Sequence, residues 1–171
     1  MGKWQNDFLE AFKSQFGATV SPRVTWVKGQ CAKNKMGLPR CVELRRPGAA
    51  AKAETFEVGD LRGDWNGWTV MVECDFDGVS VQNLVKYWPY IRGDMVGRLP
   101  ESPVIVLHFS DWRSYGSYRD LWKWALTRMQ EDPHKKVEIR ASQFDHWGHD
   151  RSRWPLEVQK ALAWLEQQTK S

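Results

Sequence analysis

Three carboxylates lie close together at the end of an apolar run in the middle of the sequence. Glu73, Asp75 and Asp77 occupy alternate positions in "MVECDFDGVSVQNLVKYWPYI", residues 71–91. Mg²⁺ prefers oxygen ligands, and a few carboxylates can hold it while water and substrate oxygens complete its shell. A bound divalent ion activates water and neutralises the negative charge that develops on a phosphate. The spacing therefore indicates a candidate metal site next to a strand end.

A lysine in the following segment can reach those carboxylates. Four apolar side chains recur at the positions of one buried helical face: Val81, Leu84, Val85 and Trp88. We therefore predict a helix that begins near Ser80, in which Gln82 and Lys86 are four residues apart and share an adjacent face. Lys86 can then point back towards the acids and supply a cation. The alternative interpretation is an exposed helical lysine without a function.

The charges divide into a basic segment and an acidic segment. Residues 21–52 hold eight Lys or Arg against one acid, whereas residues 53–78 hold seven acids against one base. A basic surface beside acids that recruit a metal suits a protein that binds and processes a polyanion. Six bases are the predicted nucleic-acid contacts, with DNA as the expected partner: Lys28, Lys33, Lys35, Arg40, Arg45 and Arg46. The alternative is two solvated faces that compensate each other.

The composition is typical of one folded domain. With 42% hydrophobic and 27% charged residues, the 171-residue chain is far from the composition of disordered proteins. No apolar run approaches the roughly 20 residues of a membrane span, and the amphipathic N-terminus does not resemble a signal peptide. Three cysteines without a CxxC pair argue against a disulfide framework or a four-cysteine zinc site. We expect a single domain over 1–171, located in the cytoplasm.

Hydrophobic periodicity predicts the order α, four β, α, β, α, β, α. The first helix is expected over 5–16, ended by Gly17, and the second from Ser80. "TFEVGDL" and "GWTVMVECD" are predicted as a hairpin whose connection is "RGDWNG", with Asp64 as a turn residue. The remaining predicted elements are the strands "RVTWVKG", "CVELRR", "SPVIVLHFS" and "KKVEIRA" and the helices "SYRDLWKWALTRMQED" and "PLEVQKALAWLEQQ". The fold class is thus α/β (α+β), with a mixed central sheet of about five to six strands flanked by helices.

This arrangement of elements and acids resembles the PD-(D/E)xK nuclease core, a restriction-endonuclease-like fold. The resemblance covers about residues 5–142, followed by a C-terminal loop and helix over 143–168. It implies that an aspartate and a glutamate bind the catalytic Mg²⁺ and that a lysine orients water and stabilises charge on the phosphate. Asp60 and Glu73, thirteen residues apart, match the first two positions. The third position holds Asp75 instead of lysine.

The resemblance also suggests a replacement for the missing lysine. Some nucleases of this superfamily carry the lysine on the following helix, and some have a glutamine and then a tyrosine there, which "QNLVKY" resembles with a spacing one residue longer. The implied catalytic residues are then Asp60, Glu73, Lys86 and Gln82. The implied ligands of Mg²⁺, or of Mn²⁺ in its place, are Asp60, Glu73 and Asp75, together with the carbonyl of Cys74.

Three functions follow as alternatives. The first is a metal-dependent nuclease that cleaves DNA phosphodiester bonds. The second is a protein of the same fold that has lost catalysis and binds nucleic acid or a protein partner, as the Asp75 departure suggests. The third is an unrelated α/β protein whose acids are structural. A homodimer is left open.

Other polar residues are weaker candidates. His146 and His149, with Asp145 and Asp150, form a conceivable zinc site that lacks a third soft ligand. His108, inside a buried strand, is interpreted as a hydrogen-bonded core histidine. Glu10 matches an additional acid of the superfamily, although a solvent-facing glutamate is the commoner explanation. Trp122 and Trp154 are expected in the core or in the groove between helices, and Trp65 and Trp68 are expected to cover the sheet, with stacking on bases as the alternative.

Overall fold

The computed structural model describes residues 3–19, 27–28, 41–43, 55–75, 78–94, 102–111, 116–148 and 150–170. The helices within these ranges are α1 (Lys3–Thr19), α2 (Gln82–Val85), α3 (Tyr87–Arg92), α4 (Gly116–Glu131) and α5 (Trp154–Thr169), with a 3₁₀ turn at Arg151–Arg153. The strands are β1 (Val27–Lys28), β2 (Cys41–Glu43), β3 (Thr55–Glu57), β4 (Leu61–Trp65), β5 (Trp68–Cys74), β6 (Val104–Ser110) and β7 (Ile139–Asp145).

The main sheet is mixed. Its strands lie in the order β1-β4-β5-β6-β7, with β1 contributing only two residues at one edge. β4 pairs antiparallel with β1 and β5, whereas β5, β6 and β7 are parallel. β2 and β3 form a separate antiparallel pair. The predicted coarse class, a mixed sheet flanked by helices, is confirmed. Because β5, β6 and β7 are parallel, their carboxyl ends lie on one edge of the sheet.

The hairpin formed by β4 and β5 is longer than the sequence suggested. Its turn consists only of Asn66 and Gly67, with φ of 47° and 81°. Positive φ at both central residues is the geometry of a two-residue type I′ turn, for which Asn-Gly is a preferred sequence. The residues of "RGDW" that were predicted as connection therefore belong to β4, and the prediction of a longer loop was wrong. Asp64 is not a turn residue but pairs with Thr69 in the ladder.

The shorter turn of the hairpin changes the predicted position of Asp60. Asp60 precedes β4 instead of ending a strand, and the predicted partner segment Thr55–Glu57 pairs with β2. Since Leu61 pairs with Val72, Asp60 lies one step further along the same ladder, beside Glu73. The two acids remain on neighbouring antiparallel segments at one edge.

The helix predicted from Ser80 is divided into α2 and α3 at Lys86. Pro89 explains the division, because a proline lacks the N–H that would bond the carbonyl of Val85 and its ring crowds that carbonyl. Lys86 keeps α-helical angles, with φ −58° and ψ −21°, so the chain continues in nearly the same direction. At the other end of the chain, α1 runs past Gly17, which was predicted to end it, since one helical glycine costs only about 1 kcal/mol.

The sheet separates two cores, and β5 contributes to both because alternate side chains point to opposite faces. Val70, Val72 and Cys74 pack with α1 and α5 in a core rich in aromatic rings, which we call the α1/α5 face. Met71 packs with the other three helices on the α2–α4 face, towards which Glu73 also points. Among the helices that the structure describes, none combines the length and apolar composition needed to cross a bilayer.

Candidate functional site

Asp60 and Glu73 are each held by a backbone amide of the other segment. The N–H of Gly59 donates to Glu73 Oε1 at 2.7 Å, and the N–H of Cys74 donates to Asp60 Oδ2 at 2.8 Å. Gly59 has φ of +71°, and a Cβ there would lie 2.9 Å from the carbonyl oxygen of Leu61. Glycine is therefore required to bring this amide to the carboxylate.

Glu73 is a buried carboxylate surrounded by donors. It is 2% exposed, and its Oε2 accepts a hydrogen bond from Lys86 Nζ at 2.9 Å, while Oε1 also accepts from the Tyr87 hydroxyl. Burial raises the pKa of Glu73 above its ordinary value of 4.5, the negative charge of Asp60 adds to this, and Lys86 and Tyr87 oppose it. The ion pair thus offsets part of the cost of burying the charge.

Lys86 points to the carboxylates, as its position in the sequence suggested. Its side chain is 15% exposed, and its ammonium group also donates to Asn83 Oδ1 at 2.9 Å. Gln82 is exposed, and its neighbour Asn83 takes part in the site instead. Asn83 was not predicted, because the expected helix face was wrong by one position. Asn83 and Lys86 are separated by three residues and share a face.

Asp75 lies beside this site, with both carboxylate oxygens bonded to protein groups. It is 7% exposed, and its Oδ2 accepts from the backbone N–H of Ser80 and from His108 Nε2, both at 2.6 Å. Its Oδ1 accepts from the side-chain amide of Asn83. Asp75 therefore faces the start of α2 and the strand β6.

His108 is a fully buried hydrogen-bonded histidine, as interpreted from the sequence. Its Nδ1 accepts a hydrogen bond from Trp122 Nε1 at 2.8 Å. Since an indole can only donate, the ring proton of His108 is on Nε2 and points at Asp75. Trp122 is also buried, as predicted. No local pattern in the sequence signals this contact, because it joins a strand to the next helix.

His146 approaches the same residue from the α1/α5 side. Its Nε2 lies 2.7 Å from the carbonyl oxygen of Asp75, and its Nδ1 accepts from the N–H of Gly148 at 3.0 Å. Burial lowers the pKa of His146 below its ordinary value of 6.5. The neutral ring with its proton on Nε2 satisfies both contacts.

The residues suggested for a zinc site near His146 are only partly described. Asp145 accepts from the N–H of Trp147 at 2.6 Å, and Asp150 from the N–H of Ser152 at 3.2 Å. His149 lies outside the described residues. Both acids thus stabilise the local backbone.

Helix α1 contributes Gln5 to the site. Its side-chain amide donates to the carbonyl oxygen of Cys74 at 2.7 Å. Glu10, the additional acid suggested by the resemblance, is exposed and pairs with Lys13 at 2.7 Å, which agrees with the solvent-facing alternative. Burial raises the pKa of the Cys74 thiol well above its ordinary value.

The large aromatic residues have the expected structural positions. Trp154 is buried, and Trp65 and Trp68 pack against the α1/α5 core while remaining partly exposed. Trp68 also lies under the guanidinium group of Arg140, at 4.5 Å from the ring centroid. Covering of the sheet thus accounts for both hairpin tryptophans.

The protein's own hydrogen bonds occupy most of the acceptor positions of the buried carboxylates at this site. A carboxylate offers about four acceptor positions, and the contacts of Glu73 to Gly59, Tyr87 and Lys86 use three of them. Asp60 is only partly buried and is adjacent to Glu73. Mg²⁺ commonly takes one or two protein carboxylates and keeps several waters. Asp75 accepts the same number of hydrogen bonds, from Ser80, His108 and Asn83, so this count does not separate it from Glu73 as a ligand. No group of three or more His, Cys, Asp or Glu able to hold a metal occurs among the described residues.

The predicted basic surface is not part of the described site. Five of the six predicted contacts lie outside the described residues: Lys33, Lys35, Arg40, Arg45 and Arg46. Only the backbone of Lys28, in β1, is described. Their assignment to nucleic-acid binding stays a prediction.

Comparisons with protein-family models, with curated proteins and with solved structures find no match to this chain.

Proposed function

We propose that this protein is a Mg²⁺-dependent nuclease of the PD-(D/E)xK type that cleaves DNA phosphodiester bonds. The observation that carries the proposal is the meeting of two acids and a lysine at one edge of the sheet. Glu73 lies beside Asp60 across the β4–β5 ladder, and Lys86 Nζ is 2.9 Å from Glu73 Oε2. The lysine comes from the helix that follows β5, which replaces the cation missing at position 75.

The topology around these residues supports the finer fold assignment within the proposal. That assignment is a restriction-endonuclease-like sheet of five to six strands. An antiparallel hairpin, β4 and β5, carries both acids, and α2 and α3 then connect it to the parallel neighbour β6. This is the order of elements that the resemblance implied for about residues 5–142.

Each residue of the site then has a role. Asp60 and Glu73 would hold Mg²⁺, or Mn²⁺ in its place, and the ion when bound supplies activated water and neutralises phosphate charge. Lys86 stabilises negative charge on the phosphate, since its ammonium group is already directed at the carboxylates. Gly59 and Tyr87 fix the orientation of Glu73. Carboxylate ligands must be deprotonated to bind a metal, so we expect binding of the ion to weaken as the pH falls.

A second candidate is a protein of this fold that binds nucleic acid without cutting it. The observation in its favour is that Glu73 already accepts three hydrogen bonds from the protein. A carboxylate satisfied in this way is stable without a metal ion. Lys86 would then serve only to neutralise Glu73.

Cleavage assays on single- and double-stranded DNA, with Mg²⁺ and with Mn²⁺, separate the two candidates. We expect Lys86→Ala to lower kcat about 10²- to 10³-fold, as does loss of one preorganised charge-stabilising donor in other enzymes. Glu73→Gln is expected to lose both activity and Mn²⁺ affinity, measured by titration calorimetry. Lys123→Ala, an exposed lysine on α4, is the matched control and should cleave like the wild type.

Cleavage of DNA by the wild-type protein decides between the two candidate functions. Binding of DNA without cleavage under any of these conditions overturns the nuclease proposal and favours the second candidate. Equal cleavage by wild type and Glu73→Gln would instead mean that the activity arises elsewhere. Circular dichroism of each variant confirms that the fold is retained.

A further inference from the structure

We infer that Asn83, whose side-chain amide is oriented by Asp75, is a positioning residue for Lys86. The inference rests on the proposed function, because Lys86 is the cation of that site. Asp75 occupies the position where the resembled nucleases carry lysine. In this protein, Asp75 instead bonds Asn83, which in turn bonds Lys86.

The chemistry of the three side chains dictates the orientation of the Asn83 amide. A carboxylate accepts and an ammonium group donates. The Asn83 nitrogen must therefore face Asp75 Oδ1, and its oxygen must face Lys86 Nζ, which lies 2.9 Å away. If the amide were reversed, it would place acceptor against acceptor and donor against donor. Asp75 thus fixes which end of Asn83 is presented to Lys86.

Asp75 is itself held from the opposite side. The N–H of Ser80 and the Nε2–H of His108 both donate to its Oδ2, and Trp122 sets the tautomer of His108. A continuous series of hydrogen bonds therefore runs from Trp122 on α4 to Lys86 between α2 and α3. Its last bond joins Lys86 to Glu73.

This arrangement limits the freedom of a long side chain. A lysine side chain loses much rotamer entropy when it is fixed in one geometry. Asn83 Oδ1 and Glu73 Oε2 are two fixed acceptors at 2.9 Å, so Lys86 is ordered before substrate arrives. If Asn83 no longer points its oxygen at Lys86, only Glu73 directs the ammonium group.

Substitution of Asn83 tests the inference. Asn83→Leu removes both the donor to Asp75 and the acceptor of Lys86 at similar volume. We expect kcat for DNA cleavage to fall about 100-fold, the size of effect that misplacing a catalytic group by about 1 Å produces, while KM stays unchanged. Gln159→Leu, an exposed amide on α5, is the control and should leave kcat unchanged.

A second measurement needs neither metal nor substrate. In metal-free protein, the denaturant midpoints of Asn83→Leu, Lys86→Met and the double variant form a mutant cycle. If Asn83 acts through Lys86, the shift caused by Asn83→Leu is clearly smaller in the Lys86→Met background. Additive shifts would mean that the two side chains do not cooperate, which overturns the inference.

The outcomes separate this inference from the proposed function. Wild-type protein that does not cleave contradicts the proposed function, and the metal-free cycle then still decides whether Asn83 and Lys86 are coupled. Cleavage by Asn83→Leu at the wild-type kcat overturns the inference alone. If Asn83→Leu does not fold, Asn83→Ala replaces it in both experiments, since Asn83 is only partly buried and truncation leaves room for water.

Discussion

The two faces of strand β5 bury side chains of opposite chemistry at adjacent positions: apolar side chains on one face and a carboxylate on the other. Val72 and Cys74 enter the α1/α5 face, where Phe8 and Phe109 pack with ring centroids 4.9 Å apart. Glu73, between them in sequence, enters the α2–α4 face and meets the donors of Lys86 and Tyr87. One face is thus stabilised by removal of apolar surface from water, and the other also requires that each buried polar atom has a partner.

The two faces differ in the hydrogen-bond donors that they offer to a buried carboxylate. The rings of α1 and α5 offer few donors, so a carboxylate on that face would lose its hydration without compensation. The helices α2, α3 and α4 each present at least one polar side chain to the sheet: Asn83, Tyr87 and Trp122. Glu73 is thus buried on the face where those donors converge. Packing substitutions on one face and polar substitutions on the other should have separable effects.

The largest expected effect is loss of packing on the α1/α5 face. Phe8→Ala removes a fully buried ring that packs against Phe109 and Trp154, and we expect the free energy of unfolding to fall by about 3–5 kcal/mol. Urea denaturation measures the change. Leu156→Ala, on the 54% exposed side chain of α5, is the control and should change stability by less than about 0.5 kcal/mol. Equal effects of the two substitutions would show that the α1/α5 core is not tightly packed.

A smaller effect is expected at the glycine that holds Glu73 on the other face. In Gly59→Ala, positive φ costs about 1–2 kcal/mol, and the new Cβ also lies 2.9 Å from the carbonyl oxygen of Leu61. Gly67→Ala is the matched control, with φ of +81° and no atom within 4 Å of its Cβ. We expect Gly59→Ala to be the less stable of the two in urea and to bind Mn²⁺ more weakly. Identical unfolding midpoints would mean that the close contact at Gly59 relaxes freely.

The smallest expected effect is a pH dependence at His146, which joins the two faces. Because burial lowers the pKa of His146, the fold favours the neutral ring. Its contribution is therefore complete above the ordinary pKa of 6.5 and is lost as the pH falls below that value. His146→Gln should reduce the loss of thermal stability between about pH 7 and pH 5, whereas His134→Gln, at an exposed position, should not. A wild-type pH profile matched by His146→Gln would contradict this role.

The sequence predicted the site in part because two of its signals are local. The apolar run that ends at Glu73 and the helical spacing around Lys86 are both visible within about twenty residues. The register of the hairpin was not predicted, because "RGDW" can extend a strand or form a loop until the Asn66-Gly67 turn selects a two-residue connection. The role of Asn83 was missed for a similar reason, since the orientation of a short helix depends on its packing.

The sequence does not predict the contacts of Asp75. His108 and Trp122 reach it from a neighbouring strand and a later helix, and neither shows a motif with the acid. A carboxylate next to a strand end is compatible with both a metal ligand and a structural acceptor. Only the positions of the donors in space distinguish the two.

The two reciprocal hydrogen bonds between the segments of Asp60 and Glu73 allow each acid to be observed in solution. The N–H groups of Gly59 and Cys74 each end on one of the carboxylates, Glu73 and Asp60 respectively. Any change in the electron density of a carboxylate, whether by protonation or by a bound cation, alters the polarisation of the amide that donates to it. Two backbone resonances in an ¹⁵N-labelled sample therefore act as internal probes, each bonded to one of the two acids, and they report on the unsubstituted protein.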